Sequence, residues 1–187
     1  MKKILVCLII GIFVIGFSAC VTKEDHTNWE DIEITKEIED AVHQAIFDLA
    51  DVDSYSDRFC VVAEEHKTFG AKRKDDMVMV YVVNCMTAME SYSKPEKVSD
   101  MYEFYGSWSN RLNILFDVSD GQYICVKVDE GEDGEGCERS FKERFPDKII
   151  SEVESYIDKL YENDSKERTD VENSLNKQIE DYINSLD

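Results

Sequence analysis

The chain has 187 residues, with 41 acidic against 21 basic side chains and a formal net charge of −20. That balance opposes nucleic acid and anionic lipid surfaces, both polyanions, and suits basic or cationic partners; its simplest meaning is a solvated acidic exterior. The length is that of one ordinary domain with room for a real core.

The chain opens with Met1-Lys2-Lys3, continues through an apolar run from Ile4 to Phe17 broken by Gly11 and Gly16, and reaches Ser18-Ala19-Cys20. A charged start, an apolar middle and small residues before a cut form the three parts of a secretory signal. Lys2 and Lys3 would stay on the cytoplasmic side, and the apolar stretch is shorter than the roughly 20 residues of a spanning helix. Ser18-Ala19-Cys20 resembles a lipobox, with Phe17 where Leu is more usual. The resemblance implies cleavage before Cys20, lipidation of its thiol, and a protein held by lipid on the extracytoplasmic face of the cell membrane. The competing readings are an ordinary signal peptide and an uncleaved anchor helix. Residues 1–19 are thus expected to be the signal, 20–31 a polar tether and 32–187 a single domain, with a helical segment at 147–187.

From Thr35 to Leu49, the apolar residues Ile38, Ala41, Val42, Ala45, Ile46 and Leu49 recur at helical spacing, with Thr35 as the N-cap. Arg58 to Lys67 predicts a strand, and Gly70 to Asp76 a charged loop. Met77 to Ala88 is dense in Val, Met and Tyr, the pattern of a central strand buried on both faces. Ser91 to Asp100, with Pro95, reads as a loop. Met101 to Trp108 reads as an edge strand or a short irregular piece. Leu112–Val118 and Gln122–Val128 flank Ser119-Asp120-Gly121, a hairpin turn with glycine where positive φ is needed. After an acidic, glycine-rich loop at 129–136, Pro146 can open a helix. Two apolar stripes follow: Ile149, Ile150, Val153, Ile157 and Leu160, then Val171, Leu175, Ile179, Ile183 and Leu186. Helix, strands, then helices predict an α+β fold. The expectation is an N-terminal helix packed on a small antiparallel sheet of about four strands, cystatin-like or similar, followed by C-terminal helices on the same face.

Beyond Cys7 and Cys20, four cysteines remain: Cys60, Cys85, Cys125 and Cys137. In an exported protein an even count allows disulfides, with three connectivities open. Cys60–Cys85 and Cys125–Cys137 are the preferred pairs, since each lies in neighbouring segments; the alternative is four free buried thiols.

Ser91-Tyr92-Ser93-Lys94 spells Ser-x-x-Lys, the nucleophile motif of penicillin-recognising enzymes. That chemistry needs the serine at a helix start, whereas Pro95 follows at once and the companion motifs are missing, so chance occurrence is the preferred reading. The histidines are His26, His43 and His66, without the His-Glu-x-x-His of zinc peptidases. His43 reads as a surface or packing residue. His66 ends a strand beside Glu64 and Glu65, where a metal or acid/base role is the minority reading. The acidic loop (Asp129, Glu130, Glu132, Asp133, Glu135) offers hard oxygen ligands for calcium but fails the EF-hand spacing, and reads as a solvated turn. The stripe from Val171 to Leu186 is expected to pack on its own domain rather than on a partner helix. No metal or cofactor is expected.

Three stretches carry a second resemblance: Glu65-His66-Lys67-Thr68-Phe69-Gly70 with Lys74-Asp75-Asp76 and the Tyr81 strand; Gly121-Gln122-Tyr123 with Glu132-Asp133-Gly134; and Ser140-Phe141-Lys142 leading to Phe145-Pro146. Their order resembles the extracytoplasmic C-terminal segment of clostridial antirepressor-type β-lactam sensor-transducer membrane proteins, over about residues 36–165. It implies a sensing or accessory domain outside the membrane, without that family's membrane-embedded peptidase or its zinc motif. The expected function is non-enzymatic: binding a ligand or a membrane protein partner in envelope sensing or an accessory role. The alternatives are a serine acyl-enzyme using Ser91 and Lys94, and a structural lipoprotein that oligomerises through its C-terminal helices.

Overall fold

A computed structural model of the protein describes residues 28–49, 58–132 and 134–186, leaving aside the side chains of residues 104, 105, 107 and 108. The expected signal, Cys20, His26 and residues 20–27 of the expected tether lie outside the described residues.

The described chain begins with a short strand, β1 (Glu30–Ile32), and a helix, α1 (Lys36–Leu49). Thr35 caps α1 with its hydroxyl, which accepts the Ile38 N–H at 3.4 Å. Three long strands follow: β2 (Phe59–Lys74), β3 (Met77–Ser91) and β4 (Tyr102–Asp117), and then the shorter β5 (Ile124–Asp129). They pair antiparallel in chain order, β1-β2-β3-β4-β5, as a meander. The β2–β3 hairpin turns on two residues, since Lys74 stands opposite Met77 and Asp75 takes φ of 54°. Aspartate is among the few side chains that tolerate that region. Three helices complete the chain: α2 (Cys137–Arg144), α3 (Asp147–Tyr161) and α4 (Lys166–Ser185).

Strand β3 is buried on both faces. Met79, Tyr81, Val83 and Cys85 enter one core, while Val78, Val80, Val82, Met86 and Ala88 enter the other. The second core is closed by Ile38, Val42, Ala45 and Ile46 of α1. The first is closed by Phe141 and Phe145, by Ile149, Val153, Ile157 and Leu160 of α3, and by Val171, Leu175, Ile179 and Ile183 of α4. The two helical stripes therefore pack on the domain's own sheet. Between them Asp164 adopts φ of 63°, and Ser165 caps α4 by accepting the Arg168 N–H at 3.1 Å.

The expected cystatin-like fold, with an N-terminal helix on a sheet of about four strands, is corrected. Among the described residues the sheet has five strands, and three of the four helices come after it. Those three cover the face opposite α1, giving helix, sheet and helix layers. Apolar periodicity reveals that a helix has a buried face, but not which side of a sheet receives it. Two strands were also misread. The charged stretch 70–74 belongs to β2, because β3 on one side and β1 on the other hold its backbone. Met101–Trp108 and Leu112–Val118 are largely one strand, β4, whose polar middle (Ser109, Asn110, Arg111) holds a register shift, with Ser109 at φ of 61°, and whose pairing with β3 resumes on either side. The last residues assigned to the tether, Glu30 and Asp31, belong to β1.

The preferred disulfides are likewise corrected: Cys60, Cys85, Cys125 and Cys137 form no disulfide with one another. Cys60 stands opposite Glu90 and Cys85 opposite Glu65, so the two are five residues out of register. At about 3.3 Å per residue that is roughly 17 Å, far beyond the ~7 Å Cα separation a disulfide spans. Cys125 faces Phe116 on β4, whereas the Cys137 thiol accepts a hydrogen bond from Arg111, five residues away along β4.

Strand β2 contains a bulge at Phe69, since Thr68 pairs with Val82 and Gly70 with Tyr81. The extra residue reverses the strand's alternation. Val62 faces α1 before it, and Ala71 faces α1 after it. Truncating a buried stripe residue measures this packing. Ile179→Ala is expected to cost about 2–5 kcal/mol in urea unfolding, whereas Ile124→Ala, at a half-exposed position on β5, should stay within about 0.5 kcal/mol.

Candidate functional site

Helix and strand periodicities bring four polar side chains together where α1 crosses β2. Glu39 and His43 are four apart on α1, hence on one helical face. Glu64, His66 and Thr68 alternate along β2 on the face that carries Val62 toward α1. Glu64 is 3% exposed, the most buried carboxylate among the described residues. Its Oε1 meets Nδ1 of His43 in a short contact. His66 Nδ1 lies 3.0 Å from Glu64 Oε2 and 3.1 Å from Oε1. The far side of the same ring places Nε2 2.9 Å from Glu39 Oε2, which also accepts the Thr68 hydroxyl at 3.0 Å. The His43 side chain is 49% exposed and packs edge-on against Phe47, with ring centroids 4.6 Å apart, so one side of the cluster opens to solvent.

The backbone at Glu64 is fixed from a third element. Its N–H donates to Gln178 Oε1 at 3.1 Å, and its carbonyl accepts from Gln178 Nε2 at 2.7 Å. The amide of α4 thus occupies the place a neighbouring strand's peptide would take. A buried carboxylate costs several kcal/mol unless it is paired and hydrogen-bonded. Here two imidazoles supply the partners. Burial by itself would lower the His66 pKa, but the hydrogen bonds and charges of Glu64 and then Glu39 outweigh it, and the net shift is upward.

The donor atoms of His43, Glu64 and His66 all lie within 4.8 Å of one another, and no other such trio forms among the described residues. The sequence alone reads His43 as a surface or packing residue and gives His66, at a strand end, a metal or acid/base role only as the minority reading. The available signals were the four-residue step Glu39–His43 and the two-residue steps Glu64–His66–Thr68, but nothing in the sequence says that these two faces meet.

The other sites singled out from the sequence fall elsewhere. Ser91 ends β3, and its hydroxyl donates to the Ser93 carbonyl at 2.8 Å. Lys94 lies in the loop beyond, so the helix-borne geometry of a Ser-x-x-Lys nucleophile is not formed. In the acidic loop, Asp129 accepts from Lys127 at 3.0 Å, and Glu132 from Arg139 at 2.7 Å. Arg144 ties the loop down by donating to the Asp129 carbonyl at 2.7 Å and the Glu130 carbonyl at 3.3 Å. Gly131 is required there: its φ is +80°, and a Cβ would come within 2.2 Å of the Arg144 guanidinium. A small cleft of about 80 Å³ beside the Phe69 bulge is lined by Asp31, Lys72, Tyr81 and Lys148. Its charges are turned on each other, Asp31 pairing with Lys148 and, at 3.4 Å, with Lys72.

Comparison with protein-family models, with curated proteins and with solved structures finds none that matches the chain.

The raised His66 pKa links stability to pH. A folded value above the unfolded one gives stabilisation that is complete below about pH 6.5 and is lost as the pH climbs through the folded value. In EDTA, the thermal midpoint of the wild-type protein should exceed that of His66→Gln most at about pH 6, and the gap should close toward pH 9. A gap that is constant or widens over that range would contradict the assignment.

Proposed function

We propose that the chain is a lipid-anchored extracytoplasmic domain that binds a ligand or a membrane protein partner and performs no covalent chemistry of its own. The observation that carries this reading is Ser18-Ala19-Cys20 at the end of a short apolar run, directly ahead of a polar stretch. Lipidation there would place the domain close to the bilayer. The first described residue, Asn28, is eight residues after Cys20, a reach of at most about 30 Å at ~3.5 Å per residue. No helix among the described residues is long and apolar enough to cross a membrane; in this reading the acyl chains on Cys20 hold the protein. Two or more acyl chains anchor stably, at about 0.8 kcal/mol per buried methylene. An acidic domain is repelled by anionic headgroups, so it stands away from the lipid with its surface available to a basic ligand or to the exposed part of a membrane protein. The resemblance to extracytoplasmic segments of sensor-transducers points the same way, toward an accessory role in envelope sensing.

The test separates the anchor from the partner. Cys20→Ala should move the protein from a salt-washed membrane fraction to the soluble fraction; retention in the membrane would overturn the lipid anchor. Crosslinking in intact cells, followed by mass spectrometry, should recover a membrane protein that is lost in Cys20→Ala. Recovery of nothing specific would favour a small ligand over a protein partner.

A further inference from the structure

We propose that His43, Glu64 and His66 form a binding site for one divalent transition-metal ion of the zinc class, with Glu39 and Thr68 supporting it from behind. The inference goes beyond the reading of the chain as a lipoprotein and stands whether or not Cys20 is lipidated.

The geometry carries it in three ways. First, the ligand chemistry fits. Two imidazole nitrogens and one carboxylate oxygen are the donors that borderline ions such as Zn²⁺, Cu²⁺ and Ni²⁺ prefer, whereas calcium and magnesium demand oxygen shells. Second, the spacing fits. A tetrahedral zinc with ligands at about 2.0–2.1 Å sets its donor atoms about 3.3 Å apart. His66 Nδ1 already lies 3.0 and 3.1 Å from the two Glu64 oxygens, and the whole trio lies within 4.8 Å. His43 Nδ1 already meets Glu64 Oε1, and its half-exposed ring can complete the set by a small side-chain rotation.

Third, the surroundings are those of a metal ligand. Metal-bound histidines usually donate their other ring N–H to a carboxylate, which fixes the tautomer. Glu39 does this to His66 at 2.9 Å and is itself fixed by Thr68 at 3.0 Å. Without metal, a proton on Nδ1 makes the 3.0 Å contact of His66 with Glu64 a hydrogen bond. A bound cation would take the place of that proton between the same two atoms. Glu64 is held in place by its burial, at 3% exposed, and its backbone is fixed by the Gln178 amide. Three protein ligands and one side open past His43 leave the fourth position to water.

The decisive experiment uses the full-length chain, purified in detergent, stripped with EDTA and titrated with zinc sulfate by calorimetry, with cobalt(II) absorption as a second probe. One equivalent of zinc should bind, and cobalt should develop visible bands of a site with nitrogen and oxygen ligands. Glu39→Gln should weaken zinc by about tenfold, and His66→Gln and Glu64→Gln by more. His43→Ala removes a ligand at a half-exposed helix position, so its fold, checked by circular dichroism, should persist while zinc affinity falls by more than about tenfold and the cobalt bands collapse. Zinc should raise the thermal midpoint of the wild type and not of His43→Ala. Absence of stoichiometric zinc binding in the wild type, or binding that His43→Ala leaves unchanged, overturns the site. Either result leaves membrane anchoring through Cys20 where the Cys20→Ala fractionation puts it.

Discussion

Everything in this domain is arranged around a strand with no solvent face. Antiparallel sheets commonly cover one side and wet the other, but β3 sends alternate side chains into two separate cores. Neither core can be left open, so the fold needs helices on both sides. α1 closes one, and α2, α3 and α4 close the other. Alternation also fixes register: a slip of one residue against β2 or β4 would exchange the contents of the two cores. The bulge at Phe69 is the one place where β2 reverses its parity. It keeps Glu64, His66 and Thr68 on the α1 face below it, while turning Ala71 to that same face above it.

The polar cluster is a product of that arrangement. Between α1 and the sheet the buried side chains are almost wholly apolar, and Glu64 is buried alongside them. There the carboxylate loses nearly all contact with water while its partner His43 keeps half of its own. A charge held in such a place is tolerated only with counter-charge at hand. A protein whose sequence is heavily acidic thus sets the most buried carboxylate of its described residues against imidazoles rather than against a lysine or arginine. Glu90, the next most buried acid, takes the other course and is gripped by Arg58 at 2.7 and 2.5 Å.

Some of this was legible in the sequence, and the difference is physical. The stripes of α3 and α4, the cap at Thr35 and the doubly buried character of Met77–Ala88 are local patterns, written in spacings of three, four and two. What is not local was misread. The charged residues at 70–74 look like loop because their side chains are solvated, yet their backbone is paired. Ser109, Asn110 and Arg111 interrupt the apolar pattern of β4 at a register shift, yet backbone pairing with β3 resumes on both sides of it. Cysteines near in sequence proved far apart in register. His43 and His66 looked unrelated, because their meeting depends on which face of the sheet α1 covers, and amphipathicity is silent on that.

Gln178 adds a consequence in time. Above Glu64 the outer edge of β2 is paired with β1, but at Glu64 itself it is closed by a side chain 114 residues later in the chain. An unpaired strand edge is a template for the nearest extended chain. During synthesis from the N-terminus, that template is finished long before its cover exists, and it stays open until the last helix arrives. Helix α4 therefore acts as the latch on a sheet whose five described strands precede it, and a chain stalled or clipped before residue 178 would be left with a completed meander and an adhesive margin.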